Sequence, residues 1–186
     1  MKIKARILLA VAAVAAFTIG LGVAATTHAD SVMRKPIDYQ KPSETVSYPD
    51  AKTTKDLNIL VKLNRHRVYI RSGKQIMYTM YCSAGMVDPK TGEETTPTGQ
   101  FELQSERGNS FYNKSLKEGA TAWTSFKNHG EYLFHSVPTD ANGHYKPKEA
   151  KKLGKTNASH GCIRLSIPDA KYIQTLPAGT PVTIER

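Results

Sequence analysis

From Asp56 onward, apolar and polar positions alternate in short runs separated by turn residues. Leu57, Ile59, Val61 and Leu63 alternate with Asn58, Leu60 and Lys62, the period-two pattern of a half-buried strand. Asn64 to Arg67 predicts a turn. Val68-Tyr69-Ile70-Arg71 is rich in β-formers and predicts a second strand, broken by Ser72-Gly73-Lys74. Gln75 to Cys82 predicts a third, so the domain opens as a meander. After loops at Asp88–Gly92 and Thr96–Gly99, Gln100 to Gln104 predicts another strand. Ala120 to Phe126 and Glu131 to Phe134 predict two more, split by Asn128-His129-Gly130, and the second runs straight into His135.

Helix signals are fewer. Pro147 starts a short helix over Lys148 to Leu153, and Gly154 stops it. Ser166-Ile167-Pro168-Asp169 reads as an N-cap with proline in the first turn and an acid at the third helical position. That helix turns Ala170, Ile173 and Leu176 toward the core, and Pro181 to Ile184 closes the chain as a strand. The pattern predicts a mainly β domain with one or two short helices.

Upstream, the pattern changes twice. Lys2, Lys4 and Arg6 precede an apolar, Ala-rich run from Ile7 to Ala25, then Thr27-His28-Ala29. A basic head, an apolar stretch and a small-residue exit predict a secretory signal peptide over residues 1–29. An uncleaved membrane anchor is the alternative, since the run is nearly the roughly 20 residues a span needs. Either reading places the rest of the chain outside the cytoplasm, in the secreted or cell-wall compartment. Residues 30–55 carry Pro36, Pro42 and Pro49 among Lys, Ser, Thr and Glu, and their low apolar content predicts a tether. Residues 56–186 form the predicted folded domain, with no internal repeat.

Charge narrows the partners. The chain carries a formal charge of +10 among 186 residues, which suits anionic wall polymers or headgroups. The Lys and Arg residues are spread along the chain, and export argues against nucleic acid. Contact with a membrane is expected only through the N-terminal segment if that segment is retained.

The two cysteines differ in context. Cys82 closes an apolar-rich strand and reads as a buried thiol. Cys162 sits in Ser159-His160-Gly161-Cys162, among polar and small residues. A cysteine nucleophile needs a base and donors for the developing oxyanion. His135-Ser136 and the Ser159–Cys162 run supply these parts: an imidazole to take the thiol proton, and consecutive Gly161 and Cys162 N–H groups as an oxyanion nest. Ser159 reads as a loop-shaping hydroxyl and His160 as a loop-shaping imidazole. Arg164 has two readings, a fork for a substrate carboxylate or a brace for the loop upstream of Cys162. No His-x-x-x-His with Glu and no paired cysteines predict a metal site.

These elements resemble the L,D-transpeptidase (YkuD-type) catalytic domain family over about Asp56 to Arg186. Ser159-His160-Gly161-Cys162-Ile163-Arg164-Leu165 is similar to the family's nucleophile motif, and Phe134-His135-Ser136 to its upstream histidine element. Ser83-Ala84-Gly85 and Thr96-Pro97-Thr98-Gly99-Gln100-Phe101 are similar to two of its strand features. The resemblance implies a β-sandwich or partly closed barrel with no metal or organic cofactor. It implies that Cys162 attacks the third residue of a peptidoglycan stem tetrapeptide, expels D-alanine, and passes the acyl group to an amine of another stem peptide. It gives His135 the roles of base and acid, and Ser136 that of orienting it. Water as acceptor gives L,D-carboxypeptidase activity instead.

One spacing departs from the family: 27 positions separate His135 from Cys162, with the extra residues expected in Thr139–Gly154. His144, 18 positions before Cys162, competes by spacing, but it lies in a turn-rich loop whereas His135 ends a strand. A sortase shares the His-before-Cys order but has its Thr-Leu-x-Thr-Cys element, missing here. A papain-like peptidase places Cys before His. A wall-binding protein with a decayed site is the non-enzymatic alternative.

Overall fold

The computed structural model describes residues 32–186. The expected signal peptide, residues 1–29, lies outside the described residues. Two mixed sheets form the domain. The strands are β1 (Leu57–Lys62), β2 (Arg67–Ser72), β3 (Gln75–Tyr81), β4 (Gly99–Glu102), β5 (Arg107–Asn113), β6 (Glu118–Lys127), β7 (Tyr132–Ser136), β8 (Ile163–Leu165) and β9 (Pro181–Glu185). One sheet has the order β3-β2-β1-β9-β4, the other β5-β6-β7-β8. Each contains a single parallel pair, β1 with β9 and β7 with β8. The arrangement is a sandwich of two sheets and not a closed barrel.

The alternation seen in the sequence builds the core. Ile59 and Val61 of β1 face inward with Val68 and Ile70 of β2 and Val182 and Ile184 of β9. Phe134, Ile163 and Leu165 of the second sheet join the same cluster. Helix α1 spans Pro147–Ala150 and α2 spans Ile167–Thr175. Ser166 caps α2 by accepting from the Asp169 N–H at 3.2 Å, and Ala170 and Ile173 are fully buried beneath it. Two elements were invisible to the pattern. Strand β5 is mostly exposed and polar, and β8 has three residues.

From Val32 on, the expected tether is corrected: this segment packs on the domain. Strand β3 is a sheet edge, and an edge strand leaves N–H groups unpaired. The Glu44 carboxylate accepts the Thr79 N–H at 2.9 Å, and Ser43 Oγ accepts the Tyr81 N–H at 2.9 Å. Ser43 Oγ also donates to the buried Asp169 carboxylate at 2.5 Å, as does Tyr48 OH at 2.7 Å. The Tyr48 ring stacks on Tyr172 of α2 with centroids 4.4 Å apart. Few apolar residues are involved, which is why hydrophobic periodicity missed the strap. Side-chain hydrogen bonds, the Tyr48 stack and the packing of Met33, Ile37 and Tyr39 against Tyr81, Val137 and Leu153 hold it.

Candidate active site

Strand register brings the predicted residues together. In the parallel β7/β8 pair, Phe134 lies opposite Ile163 and His135 opposite Arg164. Successive side chains on a strand alternate faces, so Phe134 and Ile163 point into the core while His135 and Arg164 share the other face. Cys162, two positions before Arg164, falls on that same face. All three line one pocket of about 320 Å³ with Ser159, His160, Gly161, Phe111 and Trp123. His144 is not among the lining residues. Its side chain is 80% exposed and pairs with Asp140 on the turn of the insert.

The surroundings of His135 fix its proton. Nδ1 lies 2.6 Å from the Ser136 carbonyl, which can only accept, so Nδ1 carries the hydrogen and Nε2 is left as the basic nitrogen. The orienting group is thus the Ser136 main chain; the Ser136 hydroxyl instead donates to the Val137 carbonyl and accepts the Thr121 N–H. The Phe111 ring meets the imidazole edge-on at 5.5 Å. Burial first, and then the Arg164 charge, push the His135 pKa down to about 4. Burial likewise raises the Cys162 thiol, against a lowering by the Leu133 N–H and Arg164. Both shifts favour a neutral thiol and a neutral imidazole at rest, not a thiolate–imidazolium pair. The thiol is directed to the Glu131 carbonyl at 3.7 Å.

The loop before Cys162 is held from several sides. Ser159 Oγ donates to the Cys162 carbonyl at 2.5 Å and accepts the Gly161 N–H at 3.1 Å. The Gly161 N–H, expected as an oxyanion donor, is held by this bond within the loop. Thr96 Oγ1 donates to the Gly161 carbonyl at 2.9 Å and accepts the Gly85 N–H at 2.7 Å. The Ser83–Gly85 and Thr96 segments thus matter because they grip the nucleophile loop. Gly161 has φ of +138°, and a Cβ there would lie 2.9 Å from the Thr95 carbonyl oxygen. His160 stands exposed at the pocket rim.

Arg164 resolves in favour of bracing. Its guanidinium is 4% exposed and spans Glu118 of β6 at 2.7 Å and Glu149 of α1 at 2.8 Å. Lys146 and Lys152 meet the same two carboxylates. The fork that the carboxylate reading reserved for substrate is filled by the protein's own acids, which clip the insert to the active-site strand. Glu118 and Glu149 were not singled out from the sequence; an acid far along the chain gives no periodic signal.

A two-sheet sandwich with a cysteine and a tautomer-fixed histidine on one sheet face has the architecture of L,D-transpeptidases. An L,D-transpeptidase from Mycobacterium smegmatis superposes with a TM-score of 0.54 at 19% identity, covering 70% of this chain and 59% of that one. The structure of LdtMt1 in complex with imipenem gives 0.54 at 20% identity, with 70% and 59% covered. At such identities the likeness is one of fold, and the chain spans about 59% of the length of these solved proteins. The family model of the L,D-transpeptidase catalytic domain, YkuD, matches residues 56–184. Over 149 residues the chain is 46% identical to the Bacillus subtilis (strain 168) protein named Putative L,D-transpeptidase YciB, covering 80% of this chain and 74% of that protein. The chain belongs to the YkuD L,D-transpeptidase catalytic domain family.

Proposed function

We propose that this protein is an exported cell-wall enzyme in which Cys162 is the nucleophile of an L,D-transpeptidase reaction. The observation that carries the reading is the β7/β8 register, which sets Cys162 and His135 on one face of an open pocket. His135 Nε2 takes the thiol proton as sulfur adds to the carbonyl of the third residue of a stem tetrapeptide. The Cys162 N–H, adjacent to the engaged Gly161 amide, faces the developing oxyanion. Collapse expels D-alanine, which leaves with a proton returned by His135, and a thioester remains. The amine of a second stem peptide then displaces sulfur to give a link between two third residues. Water in that place gives L,D-carboxypeptidase side activity.

Stem peptides are the substrates in this reading, and the basic surface holds the enzyme against anionic wall polymers. The N-terminal segment directs export and touches membrane only if it is retained. LdtMt1 has been solved with imipenem, so a carbapenem is the probe of choice. Intact-mass measurement after carbapenem treatment is expected to show one adduct, absent from Cys162→Ala. A wild-type protein that gains no mass, or a Cys162→Ala variant that still does, overturns the proposal.

A further inference from the structure

The charges around the pocket are unevenly matched. Among its described lining residues, three are Asp, Glu, Lys or Arg: Glu118, Glu131 and Arg164. Glu118 is spent on Arg164 and Lys146, and Arg164 is spent on Glu118 and Glu149. Glu131 differs. Its side chain accepts from the Asn128 amide at 2.7 Å and makes no ion pair among the described residues. Its own carbonyl oxygen lies 3.7 Å from Cys162 Sγ, so its backbone borders the reacting sulfur directly. The residue is exposed, so the carboxylate is within reach of a ligand.

This placement runs against the rest of the molecule. A chain of net charge +10 repels a cation, yet Glu131, an acid with no cationic partner among the described residues, lines the same pocket as the sulfur. The Glu131 charge also opposes thiolate formation at Cys162. An acid that hinders the first half of the reaction and has no structural ion pair calls for a role in the second half. The second substrate of the proposed reaction is a primary amine, which is an ammonium ion in neutral water. It must come within bonding distance of the thioester carbon.

We infer that Glu131 recruits the ammonium group of the acceptor to the Cys162 thioester, and so biases the enzyme toward transfer over hydrolysis. This rests on the acyl-transfer reading above. The ammonium meets the Glu131 carboxylate and gives up a proton to His135. The free amine adds to the thioester carbon, the C–N bond forms and the C–S bond breaks. Of the two protons that nitrogen sheds, one ends on the Cys162 sulfur and the other passes to solvent through His135. Attraction to one partly solvated carboxylate is worth a modest factor, set by charge and not by shape.

The test compares two nucleophiles on the purified protein acylated by a defined stem tetrapeptide. One is a stem peptide with a free side-chain amine; the other is hydroxylamine, uncharged at neutral pH. In Glu131→Gln, which keeps an acceptor for Asn128, the rate ratio of ammonium acceptor to hydroxylamine is expected to fall about fivefold, and further in Glu131→Lys. Carbapenem acylation is expected to be faster, not slower, because an opposing charge has been removed. Equal losses for both nucleophiles, or a ratio unchanged in both variants, overturn the assignment. A second arm uses a donor whose side-chain amine is acetylated. If Glu131→Gln slows acylation only with the free-amine donor, the carboxylate reads the donor and the acceptor role is wrong. Failure of the wild type to form any thioester refutes the acyl-transfer reading itself, independently of Glu131.

Discussion

The Nδ1–H of His135 donates to the carbonyl of Ser136, the next residue in the chain, at 2.6 Å. A strand end that turns its own main chain back onto the imidazole fixes the tautomer without a carboxylate. Among the described residues no acid pairs with the ring, so burial and then the Arg164 charge dominate, and the pKa drops to about 4.

A pH dependence follows. Acylation needs neutral His135, so its acid limb is expected near pH 4 and not near the free-imidazole value of about 6.5. Stability shifts with the same sign. A histidine depressed in the fold contributes stability that is present above about pH 6.5 and is lost as pH falls through about 4. The full loss is roughly 3 kcal/mol. Carbapenem acylation rates and urea midpoints between pH 3.5 and 7.5, an interval of about four units, would read both effects. An acid limb at the ordinary histidine value would contradict the buried, neutral ring. His135→Ala is expected to lower the acylation rate about 10²- to 10⁴-fold at neutral pH.

Gly161 gives a second prediction. Its φ of +138° disfavours any side chain, and a Cβ would press 2.8 Å from Tyr132 Cε1 and 2.9 Å from the Thr95 carbonyl oxygen. The Tyr132 ring can swing aside; the Thr95 main chain cannot do so without loosening Thr96, which holds Gly161. Gly161→Ala is therefore expected to fold but to acylate about 100-fold more slowly, the scale of a misplaced reacting group. Combining it with Tyr132→Ala should not restore the rate. Recovery in that double variant would show that the ring alone was the obstacle.

Much of this was legible in the residues, for reasons that differ by element. Strands β1, β2 and β9 carry one buried face each, so alternation reports them, whereas β3 passes from an exposed first half to a fully buried second half and was legible only as an apolar-rich run. Ser166 and Asp169 announce α2 because capping is local in sequence. The Ser159–Cys162 loop and His135 were legible as chemistry because glycine, thiol and imidazole are uncommon in such settings. Arg164 was half legible. Its fork promised a carboxylate, but a lone arginine does not say whether that carboxylate belongs to substrate or to Glu118 and Glu149. The strap at Val32–Thr54 was misread because its anchors, Ser43, Glu44 and Tyr48, are polar groups that find partners 34 to 126 residues away.

The Arg164 clip predicts an asymmetry between variants. Arg164→Ala takes from Glu118 and Glu149, each about one-fifth exposed, the partner they share and leaves each with one lysine. The expected cost is about 3 kcal/mol, with water reaching both acids and keeping it at the low end for a broken buried pair. Glu149→Gln leaves a hydrogen-bond acceptor and removes one of two negative charges, so about 1 kcal/mol is expected. Urea unfolding at neutral pH distinguishes the two. Equal losses would mean that Arg164 acts through packing and not through its charge.

The strap makes the last prediction. Ser43 Oγ serves two partners at once, donating to Asp169 and accepting the Tyr81 N–H on the open edge of β3. Ser43→Ala removes both bonds and leaves a buried amide and a buried carboxylate each short of one partner. Such loss costs about 1–3 kcal/mol, since desolvated groups are left without compensation. The damage should be local, because Glu44 still accepts the Thr79 N–H and Tyr48 still reaches Asp169. Amide hydrogen exchange is therefore expected to accelerate at Tyr81 much more than at Thr79, while Val68 and Ile70 in the core of β2 exchange only through global unfolding. Exchange at Tyr81 that matches the wild type would mean the strap lies loosely over β3 and contributes nothing to closing that edge.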